Sequence, residues 1–223
     1  MKNLIIITSV FLILLGTGCK EDVVVPANET TYDLNIRDVL GVAGTVTFTE
    51  TSNTSTTIDI ELTGIPAGTH PAEIMTNSAM ESGTTAIVLN PVGLSGKSST
   101  LTTAMTYNQL IAFDGYVQVH LSNAEPNKVI AIADIGGNVL TGTKVTYPLS
   151  TVGEYGITGN AMFEKRVNGS TLVTLTMNGL LPNVYYPATI NIGSIATIGG
   201  GDIKKTLQSV DGKMERVIQT FEA

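Results

Sequence analysis

Apolar and polar residues alternate with a period of two along several short segments of the chain. In "TTIDIELTG", Ile58, Ile60 and Leu62 alternate with threonine and acidic residues, and "TLVTLTMNG" shows the same pattern further along. Such alternation is typical of a β-strand with one buried face. Because turn residues separate many segments of this kind, the pattern predicts an all-β protein of short antiparallel strands, arranged as a sandwich or barrel.

Three further segments refine this prediction. "GYVQVHLS" predicts a strand that buries Val117 and Val119 and turns Gln118 and His120 to the other face. Asn168-Gly169 separates two strand-like runs and predicts a hairpin turn. The pattern favours a short helix only in residues 103–115.

A shift of 115 residues aligns the chain with itself. The identical positions, in the numbers of the first copy, are Thr31, Tyr32, Leu34, Gly41, Gly44, Phe48, Asn53, Ser55, Thr56 and Gly64. With one extra residue in the second copy, Pro71-Ala72 aligns with Pro187-Ala188. We interpret this match as an internal duplication of one folded unit.

The second copy is shorter than the first. Residues 31–140 include "GYVQVHLS" and "IADIGGN", whereas residues 146–223 have no counterpart of either segment. We therefore predict two tandem β-sandwich domains, the second of them C-terminally truncated. A sandwich without its last strands exposes unpaired edges and an open core. Either the sequence is partial, or strands of the first unit or of another chain cover this opening.

The N-terminus predicts export. Residues 1–18 contain a basic start, an apolar run at 4–15 and small residues, a pattern typical of a signal peptide and too short to span a bilayer. Cys19, the only cysteine, follows where a bacterial lipoprotein signal carries its acylated residue, although Gly16 replaces the usual leucine. The alternatives are an ordinary secretory signal with an incidental cysteine, or an inner-membrane anchor.

Lipid attachment at Cys19 would anchor the mature protein in the membrane through acyl chains such as palmitate. Residues 19–30 would then form a tether that holds the first domain away from the lipid. The charged residues 20–22 resemble the signal that exports some Gram-negative lipoproteins to the cell surface. We therefore expect an outer-membrane lipoprotein that is exposed on the cell surface.

Charge and motifs narrow the possible functions. The chain has 19 acidic against 12 basic residues, a formal net charge of −7, which argues against nucleic acid as a partner. No Gly-x-Ser-x-Gly elbow is present, and "IGSIATIGGGD" lacks the Gly-Lys-Ser/Thr ending of a phosphate loop and predicts a hairpin instead. We therefore expect no enzyme activity and no cofactor.

Three segments, "HPAEIM", "FDGYVQVHLS" and "IADIGGN", resemble the chordin-type (CHRD) domain, whose pattern is roughly His-Pro-Ala-His-Ile-His, Gly-Tyr-Val-Asn-Val-His and Gly-Asp/Glu-Ile. The resemblance covers residues 31–138 and, in part, residues 146–223. The chain as a whole resembles bacterial lipoproteins with tandem CHRD domains. It implies immunoglobulin-like antiparallel β-sandwich units and no enzymatic activity.

The chain departs from the family pattern at the histidines. The three pattern positions hold His70, Glu73 and Met75 in the first copy, and Tyr186, Thr189 and Asn191 in the second. His70, Glu73 and His120 are the candidates for a metal site, but the spacing of three places His70 and Glu73 on opposite faces of a strand. We therefore predict no metal, with His70 at a turn and strand edge and His120 facing solvent or paired across strands.

The sequence leaves three functions open. The first prediction is a lipid-anchored cell-envelope protein with a non-enzymatic binding, adhesion or structural role and a protein or glycan partner. One alternative is a metal-binding protein or metal-dependent enzyme that uses His70 and His120. The other is a glycan-binding module that uses Tyr185 and Tyr186, for which we expect a packing role near the start of a strand.

Overall fold

The protein is all-β, as the sequence predicts, with one short helix in the part that the structure describes. The computed structural model describes residues 27–196 and 200–221. The strands are β1 Glu29–Ile36, β2 Ala43–Ser52, β3 Ser55–Thr63, β4 His70–Thr76, β5 Thr85–Val92, β6 Lys97–Thr102, β7 Gly115–Ser122, β8 Glu125–Ile135, β9 Leu140–Leu149, β10 Thr158–Arg166, β11 Thr171–Asn178, β12 Tyr185–Asn191, β13 Ile203–Asp211 and β14 Arg216–Phe221. The helix α1 spans Tyr107–Ala112, and a 3₁₀ turn spans Gly136–Asn138.

The first unit, β1 to β8, is a nearly closed antiparallel barrel. Its strand order is β5-β4-β7-β8-β1-β2-β3-β6. β1 pairs with β2 as far as Leu34 and then, at Asn35 and Ile36, with β8, so it joins two four-stranded halves. At the remaining opening, the amide N of Asn90 in β5 donates to Thr100 Oγ1 in β6 at 2.8 Å.

The core of the first unit follows the alternation of the sequence. Ile58, Ile60 and Leu62 point inward and are at most 6% exposed. The helix α1 lies within the segment where the pattern favours one, and it buries Leu110. Its first turn is stabilised by Thr106, whose hydroxyl accepts a hydrogen bond from the amide N of Gln109.

The second unit, β9 to β14, is a curved six-stranded antiparallel sheet. Its strand order is β12-β13-β14-β11-β10-β9, so that β12 and β9 are its edges. β9 begins at Leu140, before the predicted domain start at residue 146. The predicted hairpin at Asn168-Gly169 is confirmed: it joins β10 to β11, and the amide N of Arg166 donates to Ser170 O.

The same strand pairing occurs in both units, 115 residues apart. Thr31 is opposite Thr47 in the first unit, and Thr146 is opposite Met162 in the second. The pairs β4–β5 and β12–β13 also share two β-bulges at corresponding positions. Strands β9, β10, β11, β12, β13 and β14 therefore correspond to β1, β2, β3, β4, β5 and β6.

The aligned glycines Gly44 and Gly159 have the same role in the two units. A Cβ atom on Gly44 would lie 1.9 Å from the carbonyl O of Glu61, and one on Gly159 would lie 2.3 Å from that of Thr176. Both glycines let the backbone of the neighbouring strand approach more closely than any side chain allows.

The units differ in what lies between corresponding strands. In the first unit, β7 and β8 lie between β4 and β1. In the second, the counterparts of β4 and β1 are the edge strands β12 and β9, and no described strand lies between them. The second sheet therefore lacks two strands of a complete unit.

The units contact each other through buried polar groups. Arg166 is fully buried, and its Nη1 donates to the carbonyl O of Asn138. Glu81 of the first unit accepts hydrogen bonds from the amide and the hydroxyl of Thr220 in β14. Burial raises the pKa of Asp134, 3.8 Å from Arg166 Nη1, although the amide of Ala79 and the charge of Arg166 act in the opposite direction.

Candidate functional site

Glu73 is the centre of a polar cluster on the outer face of the first unit. β4 and β7 are neighbours, and Glu73 is opposite Gln118. Its Oε1 accepts a hydrogen bond from Gln118 Nε2 at 2.9 Å and lies 2.8 Å from His120 Nε2, while Thr85 Oγ1 donates to Oε2 at 2.6 Å. Burial alone would raise the pKa of Glu73, but these hydrogen bonds and the charge of His120 outweigh it, and the pKa is lowered.

Of the two alternatives for His120, facing solvent or pairing across strands, the structure shows cross-strand pairing with Glu73. Gln118 and His120 are 8% and 9% exposed, so β7 is buried on both faces. On the outer face, the side chain of Glu73 lies against Gln118 and His120 and shields both from water. His120 Nδ1 is buried and has no hydrogen-bond partner among the described residues.

His70 is a core residue, and its expected place at a strand edge is wrong. β4 lies between β5 and β7, and His70 is 1% exposed. Its Nδ1 lies 2.7 Å from the carbonyl O of Leu121, and its Nε2 lies 3.1 Å from that of Pro66. A neutral imidazole donates in one of these contacts and an imidazolium in both. The ring thus ties the loop before β4 to the end of β7.

The structure brings together two of the three predicted metal candidates. Glu73 and His120 are in contact on the outer face, whereas His70 points into the core. Among the described residues, no group of three or more histidine, cysteine, aspartate or glutamate side chains is placed to hold a metal ion. Zinc normally requires three or four such ligands. The Glu73–His120 pair is therefore explained by its hydrogen bonds.

The larger candidate site is an apolar cleft in the second unit, which we call the cleft. It has a volume of about 570 Å³ and lies between the halves of the curved sheet. Its lining residues are Tyr147, Leu149, Ile157, Ala161, Phe163, Leu175, Met177, Leu180, Tyr186, Pro187, Ala188, Thr189, Ile190, Leu207 and Val210. Three hydroxyl groups are the polar side-chain groups of this lining.

Most lining residues of the cleft correspond to core residues of the first unit. Phe48 is 0% exposed in the first unit, whereas its counterpart Phe163 is only partly buried. Ile74 is likewise 0% exposed, and its counterpart Ile190 is partly buried. The positions match, but β7 and β8 cover them only in the first unit. Sequence alternation alone could not distinguish a closed core from this open one.

Tyr147 marks the place where the end of a covering strand would lie. In the first unit, its counterpart Tyr32 accepts a hydrogen bond from the amide N of Gly136 at 3.2 Å, directly after β8. Tyr147 is 55% exposed at the corresponding position and lines the cleft. Each tyrosine packs edge-on against its own phenylalanine, Phe48 at 5.5 Å and Phe163 at 5.9 Å between ring centroids.

The two tyrosines of the glycan alternative face opposite sides of β12. Tyr186 lines the cleft, and its hydroxyl accepts a hydrogen bond from the amide N of Leu181 at 2.8 Å. Tyr185 is 70% exposed. Successive residues of a strand point to opposite faces, so the two rings do not form one stacking platform for a sugar.

The predicted anchor lies outside the described residues. The signal peptide, Cys19 and residues 19–26 of the tether belong to this part of the chain. Within residues 27–196 and 200–221, no helix combines the length and the apolar character needed to cross a membrane.

Comparisons with known proteins do not assign the chain to a family. The chain matches no family model, no curated protein and no solved structure.

Proposed function

We propose that this protein is a lipid-anchored, non-enzymatic protein of the cell envelope that binds a polypeptide partner through the cleft of its second unit. The observation that carries this proposal is that an open cleft is lined by side chains most of whose counterparts in the first unit form a closed core. Apolar side chains that line an open cleft are in contact with water, which is unfavourable, and concave apolar surfaces are where proteins usually bind other molecules.

The chemistry of the cleft favours binding over catalysis. Its polar side-chain groups are the hydroxyls of Tyr147, Tyr186 and Thr189. Among the described lining residues there is no carboxylate, imidazole, amine or thiol to act as acid, base or activated nucleophile. The Glu73–His120 pair lies in the other unit, where hydrogen bonds already engage both oxygens of Glu73.

The sequence supports the location. Acylation of Cys19 would place the domains outside the cytoplasm, and residues 20–22 resemble a signal for surface display. The resemblance to tandem chordin-type domains, which implies no enzymatic activity, supports a non-enzymatic envelope protein. The acidic net charge of −7 favours protein partners over nucleic acid.

Photo-crosslinking in intact cells tests the binding role. A benzoylphenylalanine at Tyr147, in the cleft, is expected to give a discrete adduct with a polypeptide after irradiation. The matched control is the same residue at Tyr155, which is 83% exposed and does not line the cleft. Absence of an adduct at Tyr147, or equal adducts at both positions, would contradict a partner in the cleft.

A separate experiment tests the anchor. Cys19→Ala is expected to move the protein from the membrane fraction to the soluble fraction and to remove the acyl mass from its N-terminal peptide. A protein that stays in the membrane without acyl chains would contradict lipid anchoring but would leave the role of the cleft intact.

A further inference from the structure

The occupant of the cleft can be specified from the first unit, and this step rests on the proposed function. We propose that the cleft binds an antiparallel β-hairpin from another polypeptide, which completes the second sheet as β7 and β8 complete the first. The partner chemistry is therefore an extended two-stranded segment with one apolar face.

The missing part of the sheet is two strands wide. In the first unit, β4 pairs with β7, β7 with β8, and β8 with β1, and all three pairings are antiparallel. In the second unit, β12 and β9 are the corresponding edges. Backbone N–H and C=O groups along the edge of a sheet bind an added strand through main-chain hydrogen bonds. Two strands joined by a short turn fit this opening.

The side chains that fill the first unit define what the hairpin must present. Val117 and Val119 of β7 and Ala131 and Ile135 of β8 are 0% exposed in the first core. Small and β-branched apolar residues at alternate positions therefore match a cleft lined by the counterparts of their neighbours. A residue with a free N–H directly after the second strand would reach the hydroxyl of Tyr147, as Gly136 reaches that of Tyr32.

A second copy of this chain is a poor donor of that hairpin. Its β7 and β8 are already fully engaged in its own first unit, where β7 also holds His70 through the carbonyl O of Leu121. Withdrawing them would open that core. A lipid or other small apolar molecule would fill the volume but would leave the edges of β12 and β9 without hydrogen-bond partners. Both are therefore poorer occupants of the cleft than a hairpin from another polypeptide.

The chain itself supplies a probe for this proposal. A synthetic peptide of residues 115–135, GYVQVHLSNAEPNKVIAIADI, is titrated into the purified mature chain carrying Cys19→Ser, with fluorescence anisotropy of a labelled peptide as the measurement. The expected result is saturable binding of one peptide per chain. A control peptide carries Val117→Asp and Val119→Asp, which place charges on the apolar face, and should bind at least about tenfold more weakly.

Matched protein variants locate the binding site. Tyr147→Lys in the cleft is expected to weaken peptide binding by about tenfold or more, while Tyr155→Lys outside it should change binding by less than about twofold. In case the free peptide is insoluble, residues 115–135 are joined after Ala223 through a flexible linker. This fusion should slow amide hydrogen exchange in β12 and β9. The same fusion with Val117→Asp and Val119→Asp in the added segment should not.

Four results would overturn the hairpin proposal. The first is that the peptide does not bind and the fusion does not protect β12 and β9, and the second is peptide binding that Tyr147→Lys does not weaken. The third is a dimer of the chain that protects β9 or β12 without the peptide. The fourth is a co-purified lipid in the cleft that the peptide does not displace. If photo-crosslinking at Tyr147 nevertheless gives a polypeptide adduct, the proposed binding function stands and only the hairpin is wrong. If crosslinking also fails, both proposals fail.

Discussion

The two units place corresponding residues on corresponding strands, yet one closes its core and the other leaves it open. Phe48 and Phe163 each pack edge-on against a tyrosine, but only Phe48 is fully buried. The difference comes from β7 and β8, which have no counterparts in the described part of the second unit. Strand pairing is thus set locally within each unit, whereas burial depends on whether two further strands are present.

Corresponding apolar side chains therefore have different roles in the two units. In the first unit, apolar side chains contribute to folding because closure removes them from water. In the second unit, part of the same surface remains available, and its burial can contribute to association instead. The matched positions make it possible to measure both contributions with equivalent substitutions.

The largest expected difference is at the paired phenylalanines. Phe48→Ala should lower the free energy of unfolding of the first unit by about 3–5 kcal/mol, because it removes a fully buried ring. Phe163→Ala should cost the second unit less, about 1–2 kcal/mol, because water already reaches part of its ring. Denaturant-dependent hydrogen exchange in β2 and β10 measures the two units separately. Equal costs would show that the second core is as closed as the first.

A smaller difference is expected where His70 corresponds to Tyr186. His70→Ala should destabilise the first unit by about 2–3 kcal/mol, because two buried carbonyl groups lose the ring between them. Tyr186→Phe should destabilise the second by about 1 kcal/mol, because the amide of Leu181 loses its acceptor. Both values come from urea denaturation.

Metal analysis of the purified parent chain and of its His70→Ala and His120→Ala variants tests the alternative metal-binding function. Stoichiometric zinc or copper that is lost in both His70→Ala and His120→Ala would replace the structural explanation of these histidines by a metal site.

The strand alternation, the duplication and the short helix were accessible from sequence because they depend on local spacing. Ile58, Ile60 and Leu62 are buried where period two places them, and Gly44 and Gly159 mark the repeat because both permit a close backbone approach. The candidate site was less accessible. Alternation assigns a residue to a face of a strand, but it does not say which strand covers that face.

Long-range pairing explains the remaining errors. His70 was expected at an edge, but β7, which covers the second side of β4, follows it only after two further strands and the helix. Arg166, beside a glycine turn, resembles a surface residue, yet the contact between the units buries it completely. That β12 and β9 are the edge strands of the second sheet likewise depends on the order of its strands. The sequence carries no short-range signal for this order.

The smallest expected effect is a pH dependence confined to the first unit. The pKa of Glu73 is lowered from its ordinary value of 4.5, so the folded state binds the proton less readily than the unfolded state. The stability that Glu73 contributes is present above pH 4.5 and is lost as the pH falls through the lowered value. The difference in unfolding free energy between the parent and Glu73→Gln should therefore shrink on acidification.

Asp134 is the control for the pH dependence of Glu73, because its pKa is shifted in the opposite direction. Its pKa is raised, so its protonated form is favoured in the folded state, and its contribution to stability should increase as the pH falls. Urea titrations of Glu73→Gln and Asp134→Asn between neutral and acidic pH should change in opposite directions relative to the parent. A parallel change in both variants would contradict the electrostatic environments described for these groups.

Amide hydrogen exchange at corresponding strands tests whether the second unit has the strands of the first except the two that cover its core. In the mature chain without a partner, amides on the open edges of β12 and β9 should exchange at least about 100-fold faster than their counterparts in β4 and β1, which β7 and β8 protect. Equal protection of β12 and β9 would show that another part of the chain already fills the cleft, and would contradict the account.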